Sequence, residues 1–321
     1  MVLLKSAASV LGHCARFGAR SAVRASGIAI AGALALLAGG CGETPSTDVA
    51  TASTAAAPAI ETLAPLAVPP LHAAAGRGEL AALDTLIAKG ADLDSRGVGR
   101  RTALMFAADS GALEAVSRLI EAGADPDARD ASEVTALMLA ARRARLAIMS
   151  ALVDAGATLD LANDQGTTAL MDAIRSRDAD AVALMLQRGA SLEPASSLGW
   201  TALHFAAASR NAAIAALVIP RVDDLEVRDA AGMTAYLHAA EEGRIETLGM
   251  LEQAGADVGA QDARGMNAMD HALKQKLWPT VRHLAGRVHP VQMAHVVPLY
   301  PDARAIFEAA GIDPLEPSPS G

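Results

Sequence analysis

The chain has 321 residues and a formal charge of −9, with 52% apolar but only 2% aromatic residues, so burial rests on Ala, Leu, Val, Ile and Met in closely spaced helices. Excess acid disfavours a free basic nucleic-acid binder. Two cysteines, Cys14 and Cys41, supply no disulfide framework, and no Cys/His cluster has zinc spacing.

Residues 1–40 carry Lys5, Arg16, Arg20 and Arg24 and no acid; removing those four charges takes the formal −9 to −13. Within them, residues 27–40 (GIAIAGALALLAGG) form an apolar run behind a basic stretch, the layout of a secretory signal. The run is short of the roughly 20 apolar residues that span a bilayer. Its end, Leu37-Ala38-Gly39-Gly40-Cys41, resembles a bacterial lipoprotein signal, which implies cleavage before Cys41 and acylation of that residue. The alternative is a plain signal peptide with Cys41 as a bystander. Two features depart from the motif: Ala38 stands where Leu is commonest, and the basic segment is long unless translation begins at Val10 or Val23. Gly42, by the same resemblance, permits transfer to the outer membrane. Residues 41–66 are expected to be the lipidated cysteine and a flexible Ala/Thr/Ser/Pro tether. The expected location is the periplasm, anchored to a membrane.

From there a threonine recurs every 33 residues, at Thr102, Thr135, Thr168, Thr201 and Thr234, with Asn267 at the next step. Thr is a good N-cap, and the Ala that follows starts a helix readily. Gly111 then separates a first helix from a second, in which Leu113, Val116, Leu119 and Ile120 share one face. Gly90, Gly123, Gly156, Gly189 and Gly255 end the second helices at one phase, and a turn-rich finger closed by Gly166, Gly199, Gly232 or Gly265 leads to the next Thr. Such a unit cannot bury its apolar face alone, so the spacing predicts a solenoid.

Identity and spacing together resemble the ankyrin repeat over residues 67–289, in about seven units beginning at Pro70-Leu71-His72-Ala73-Ala74. The resemblance implies an all-α ankyrin-repeat solenoid of stacked helix-turn-helix units with β-hairpin-like fingers. Departures are Ala where the family has Pro after Thr, from the second repeat on, and survival of the family's His only at His72 and His204. Pro220 and Val222 make the fifth repeat irregular. Residues 290–321 are expected to hold a degenerate cap and tail, with Phe307 covering the last core.

Catalytic motifs are missing from the sequence: no G-x-S-x-G, P-loop, H-E-x-x-H or C-x-x-C occurs. Gly76-Arg77-Gly78 reads as an inter-helix turn. His238 near Glu241 and Glu242, and His271 near Asp270, read as solvated pairs; His283, His289 and His295 make a weak metal candidate. The expectation is a non-enzyme without cofactor, metal, nucleic-acid or small-molecule partner, binding a periplasmic protein and held to the membrane by its lipid.

Ankyrin proteins bind through the fingers and the adjoining end of the first helix, which implies two candidate surfaces. The position before each cap reads Arg101, Val134, Thr167, Trp200, Met233 and Met266; the last three are expected to form an exposed apolar strip, or else to fold back onto neighbouring fingers. Arg142, Arg143, Arg145, Arg175, Arg177 and Arg210, near the ends of first helices, form a basic stripe for carboxylates or phosphates, or complement helix dipoles. The leading function is a scaffold or adaptor. The alternatives are an immunity or inhibitor protein for a periplasmic toxin or enzyme, and a stress-related factor with a C-terminal site.

Overall fold

The computed structural model describes residues 69–287, 301–309 and 311, all within the unit Glu61–Gly321. The expected signal, Cys41, the tether, His289 and His295 lie outside the described residues. Seven helix pairs follow one another: α1 (Pro70–Arg77) and α2 (Leu80–Ala88), α3 (Ala103–Ser110) and α4 (Leu113–Glu121), α5 (Ala136–Arg142) and α6 (Leu146–Asp154), α7 (Ala169–Ser176) and α8 (Ala179–Gln187), α9 (Ala202–Ala208) and α10 (Ala212–Val218), α11 (Ala235–Glu241) and α12 (Ile245–Ala254), α13 (Ala268–Lys274) and α14 (Trp278–Leu284). A further helix, α15, spans Pro301–Ala309. First helices pack on first helices of the next pair, and second helices on second, giving two layers. No strand occurs among the described residues.

The 33-residue period sets identical starts. Thr102, Thr135, Thr168 and Thr234 accept the N–H three residues on, at 3.3–3.5 Å, each cap contributing about 1 kcal/mol. Asn267 does the same for Asp270, whose carboxylate accepts the Asn267 N–H at 3.0 Å, a reciprocal box. Two residues after each cap, Leu104, Leu137, Leu170 and Leu203 occupy equivalent seats, none more than 1% exposed, and Tyr236 and Met269 fill the same seat later. Burial and the Glu252 carboxylate push the Tyr236 phenol above its ordinary range. Ala107, Ala140, Ala173, Ala206, Ala239 and Ala272 are fully buried between first helices, where a larger side chain would overpack. In the fifth repeat α10 passes into a 3₁₀ turn, Ile219–Arg221, around Pro220. Phe307 of α15, packed on α14, is fully buried.

The fingers are tight turns closed by backbone bonds, with no strand among the described residues. In each, one N–H closes back on the carbonyl before the capping Thr or Asn, as from Asp130 to Val134 at 3.0 Å and Asp229 to Met233 at 3.0 Å. Asp130, Asn163, Asp229 and Asp262, all five residues before the cap, accept two further backbone N–H groups through Oδ1. One backbone bond then links each finger to the next: Ala131 N–H to Gly99 O, Asp164 to Ser132, Ser197 to Gln165, Ala230 to Leu198 and Ala263 to Ala231, at 2.8–3.1 Å.

That link brings backbones together at the glycine two residues before the cap. Gly199 has φ +76°, and a Cβ there would lie 2.9 Å from the Ala230 nitrogen; Gly265 has φ +75° but open space, with its nearest neighbour at 3.8 Å. Gly199→Ala is expected to cost more stability than Gly265→Ala, by about 1 kcal/mol or more, because only the former adds a backbone collision to the positive-φ strain. Equal shifts in urea midpoint would show that the fingers do not approach so closely.

Candidate partner-binding surface

The residues before each cap do not share one environment. Trp200 and Met266 are half-buried, but Met233 is only 5% exposed. The expected apolar strip is therefore interrupted at its middle. At Met233 the backbone N–H donates to Asp229 Oδ1 at 2.9 Å, and the carbonyl accepts from His204 Nε2 at 3.3 Å.

What replaces the strip is an aromatic cluster around Trp200. Its ring lies 4.3 Å from His238, 5.0 Å from Phe205 and 6.4 Å from His204, centre to centre. Leu198, on the same finger, is 65% exposed and Phe205 of α9 is half-buried, so the finger and the start of α9 together present apolar side chains. His204 is fixed on both sides, since its Nδ1 accepts the Thr201 N–H at 3.2 Å while Nε2 faces Met233. Burial, then the His238 ring, hold His204 below its ordinary pKa despite the Met233 carbonyl, so the ring is neutral.

His238 is buried and donates through Nε2 to Asp229 Oδ2 at 2.8 Å. This corrects the expectation of a solvated pair with Glu241 or Glu242. Burial pushes the Asp229 carboxyl up, but the Met233 and Ala231 N–H groups and the His238 ring outweigh it, leaving the group below its ordinary value. The same pattern recurs one repeat on. His271 is fully buried with Nε2 3.3 Å from Asp262 Oδ2, rather than solvated beside Asp270. Burial lowers the His271 pKa against the pull of Glu241 and Asp262, and both its ring nitrogens lack a hydrogen bond. For Asp262, burial raises the pKa, but the Met266 N–H and Arg264 bring it below the ordinary value. The His238–Asp229 pair acts as a brace, and the His238 ring carries the indole of Trp200.

The arginines separate into two groups. Arg101 meets Asp109 at 3.2 Å and Asp130 at 3.5 Å, and Arg143 meets Asp109 at 3.2 Å. Arg142 grips Asp172 with Nε at 3.4 Å and a terminal nitrogen at 2.9 Å, while Arg175 approaches the same carboxylate at 3.6 Å. Asp172 is fully buried, so these cations compensate a charge that is costly to leave alone. Burial alone would lower the Arg142 pKa, but Asp172 raises it. Sequence reading missed Asp172, which stands in a first-helix register held by Phe106, Leu139 and Phe205 in neighbouring repeats and by His238 and His271 later. Arg145 lies over Gly111, whose added Cβ would sit 2.9 Å from its guanidinium carbon. Arg177 and Arg210 remain exposed. In the C-terminal segment, His283 bonds to Glu252 at 3.0 Å, which occupies the first member of the weak metal candidate.

The family model described as ankyrin repeats (3 copies) matches residues 61–130, 123–195 and 192–262. Among solved structures, the ankyrin repeat domain of Bcl-3, described as a unique member of the IkappaB protein family, is 26% identical with a TM-score of 0.58. The match covers 66% of this chain and 97% of that one. The human ASB11 ankyrin repeat domain is similar in fold, at 24% identity and a TM-score of 0.56, over 63% of this chain and 91% of its own. No curated protein sequence matches.

Two outcomes follow from the buried charges. Arg142→Ala is expected to lose about 1–2 kcal/mol, a value discounted because its side chain is 44% exposed, whereas Asp172→Leu is neutral or stabilising. Urea titrations showing the reverse order would refute the compensation argument. Second, His204 and His271 are depressed in the folded state, so the unfolded chain binds more protons below about pH 6.5 and stability falls as pH drops through that value. Asp229 and Asp262 keep their contributions until pH approaches about 4. The urea midpoint should fall between about pH 7.5 and 5.5, and His271→Phe should remove part of the fall; a flat profile counts against the buried neutral rings.

Proposed function

The chain belongs to the ankyrin-repeat family, and from that premise we propose that it is a non-catalytic scaffold or adaptor that holds a protein partner in the bacterial periplasm. Ankyrin repeats are generally protein–protein interaction modules, and fold alone does not choose the partner. The observation that carries the reading is the Leu198–Trp200–Phe205 patch, a partly exposed aromatic anchor braced from behind by His238 and Asp229. Anchors of this type dominate interface energies when their own rotamers are locked by packing.

The cellular placement rests on the sequence. Residues 27–40 supply an export signal, Cys41 a lipid attachment point, and residues 42–66 a tether long enough to hold the repeats off an outer-membrane surface. A narrower reading, an inhibitor plugging an acidic cleft of a periplasmic toxin or enzyme, draws on the exposed Arg177 and Arg210. Neutralisation of a co-expressed toxin separates it from simple scaffolding.

A photo-crosslinker at position 198 should trap one dominant envelope protein in intact cells, and Leu198→Asp should weaken that partner's binding about tenfold or more. Its melting temperature should stay put, because exposed substitutions usually change stability by about 0.5 kcal/mol or less. Cys41→Ser should move the protein from the membrane fraction to the soluble envelope fraction. Capture spread over many unrelated proteins, or a variant that remains on the membrane, would count against the interaction and anchoring readings respectively.

A further inference from the structure

Besides Arg145 in the third repeat, arginines outside the Asp109, Asp130 and Asp172 pairings stand in consecutive inter-helix turns of the fourth, fifth and sixth repeats, at Arg177, Arg210 and Arg244. Asn211 Nδ2 donates to the Arg177 carbonyl at 3.0 Å, stitching the α9–α10 turn to the α7–α8 turn. Arg244 Nε donates to the Ala208 carbonyl at 3.2 Å, stitching the α11–α12 turn to the end of α9. These two bonds set Arg177, Arg210 and Arg244 in one row. Among the described residues, Glu242 is the one carboxylate in ion-pair contact with the row, 3.1 Å from Arg244. Asp178, beside Arg177 in sequence, is occupied as the N-cap of α8, accepting the Ala181 N–H at 3.0 Å.

We propose that Arg177, Arg210 and Arg244 form a binding site for a carboxylate-rich segment of the protein partner. The inference rests on the reading of the stack as an interaction module. Arg244 is pinned by its backbone bond and its side chain is only 20% exposed, so it cannot swing away from its neighbours. Burial lowers its pKa, Glu242 opposes that, and the Arg210 and Arg177 charges lower it further. Like charges held together in the free protein are relieved when carboxylates arrive between them, which favours the bound state. Guanidinium groups spaced one per repeat suit single charges spread along an extended acidic peptide. A membrane or nucleic acid is the poorer fit, because a chain of formal charge −9 is repelled by an extended anionic surface once the local row is passed.

The test uses the full-length chain and a fluorescently labelled hexaglutamate peptide, read by anisotropy at low and high salt. Arg177 sits at φ +65°, where Gly fits without strain, so Arg177→Gly combined with Arg210→Gln removes two charges and keeps the turn. The double variant should bind about tenfold or more weakly with a shallower salt dependence and an unchanged melting curve. Arg210→Lys alone should retain most of the affinity. No binding by the wild type, or equal binding by the double variant, would overturn the site. So would anionic phosphatidylglycerol vesicles competing for the row while the peptide does not. Trapping from position 198 that persists in the double variant leaves the interaction reading standing even when this site fails.

Discussion

No repeat of this chain can cover its own apolar face, and every other feature follows from that dependence on a neighbour. The seats at Leu104, Leu137, Leu170 and Leu203 are buried because another repeat lies on each side. The fully buried alanines let first helices come close enough for this, and Phe307 covers the end of the row. Stability in such an arrangement is approximately a sum of repeat and interface terms, so a surface is only as rigid as the two junctions flanking it.

The fingers extend the same dependence to polar groups. A carboxylate or amide five residues before the cap orders its own turn, and a backbone bond passes to the next finger. On the fingers just before α11 and α13 the free oxygen of that carboxylate also faces a buried histidine on the following helix, His238 or His271. A hydrogen-bonded buried pair such as His238 with Asp229 holds geometry more than it adds stability. Here the geometry held is the position of Trp200, whose indole rests on the His238 ring.

Features that repeat were legible in the sequence, and features that arise where two repeats meet were not. Caps, seats and the positive-φ glycines recur in one frame, so a single unit reveals them all. Met233 is buried while Trp200 and Met266 at the same phase are half-buried, and nothing local to Met233 announces it. The acid partners of Arg101, Arg142 and Arg143 lie 8 to 34 residues away, so a run of arginines read along the chain looked freer than it is. Arg244 joins Arg177 and Arg210 through the Asn211–Arg177 and Arg244–Ala208 bonds, contacts between repeats that the order of residues does not announce. Ala144, Arg177 and Lys276 adopt positive φ without being glycine, where the repeat phase rather than residue type marks the turn.

The most direct test of neighbour-coupled stacking is native-state amide hydrogen exchange at the five finger-to-finger donors, Ala131, Asp164, Ser197, Ala230 and Ala263. Coupled repeats predict slow exchange at all five, with Asp164 and Ser197 slowest because most repeats flank them on both sides. Exchange at the rate of an open loop, while the buried helices stay protected, would contradict the account.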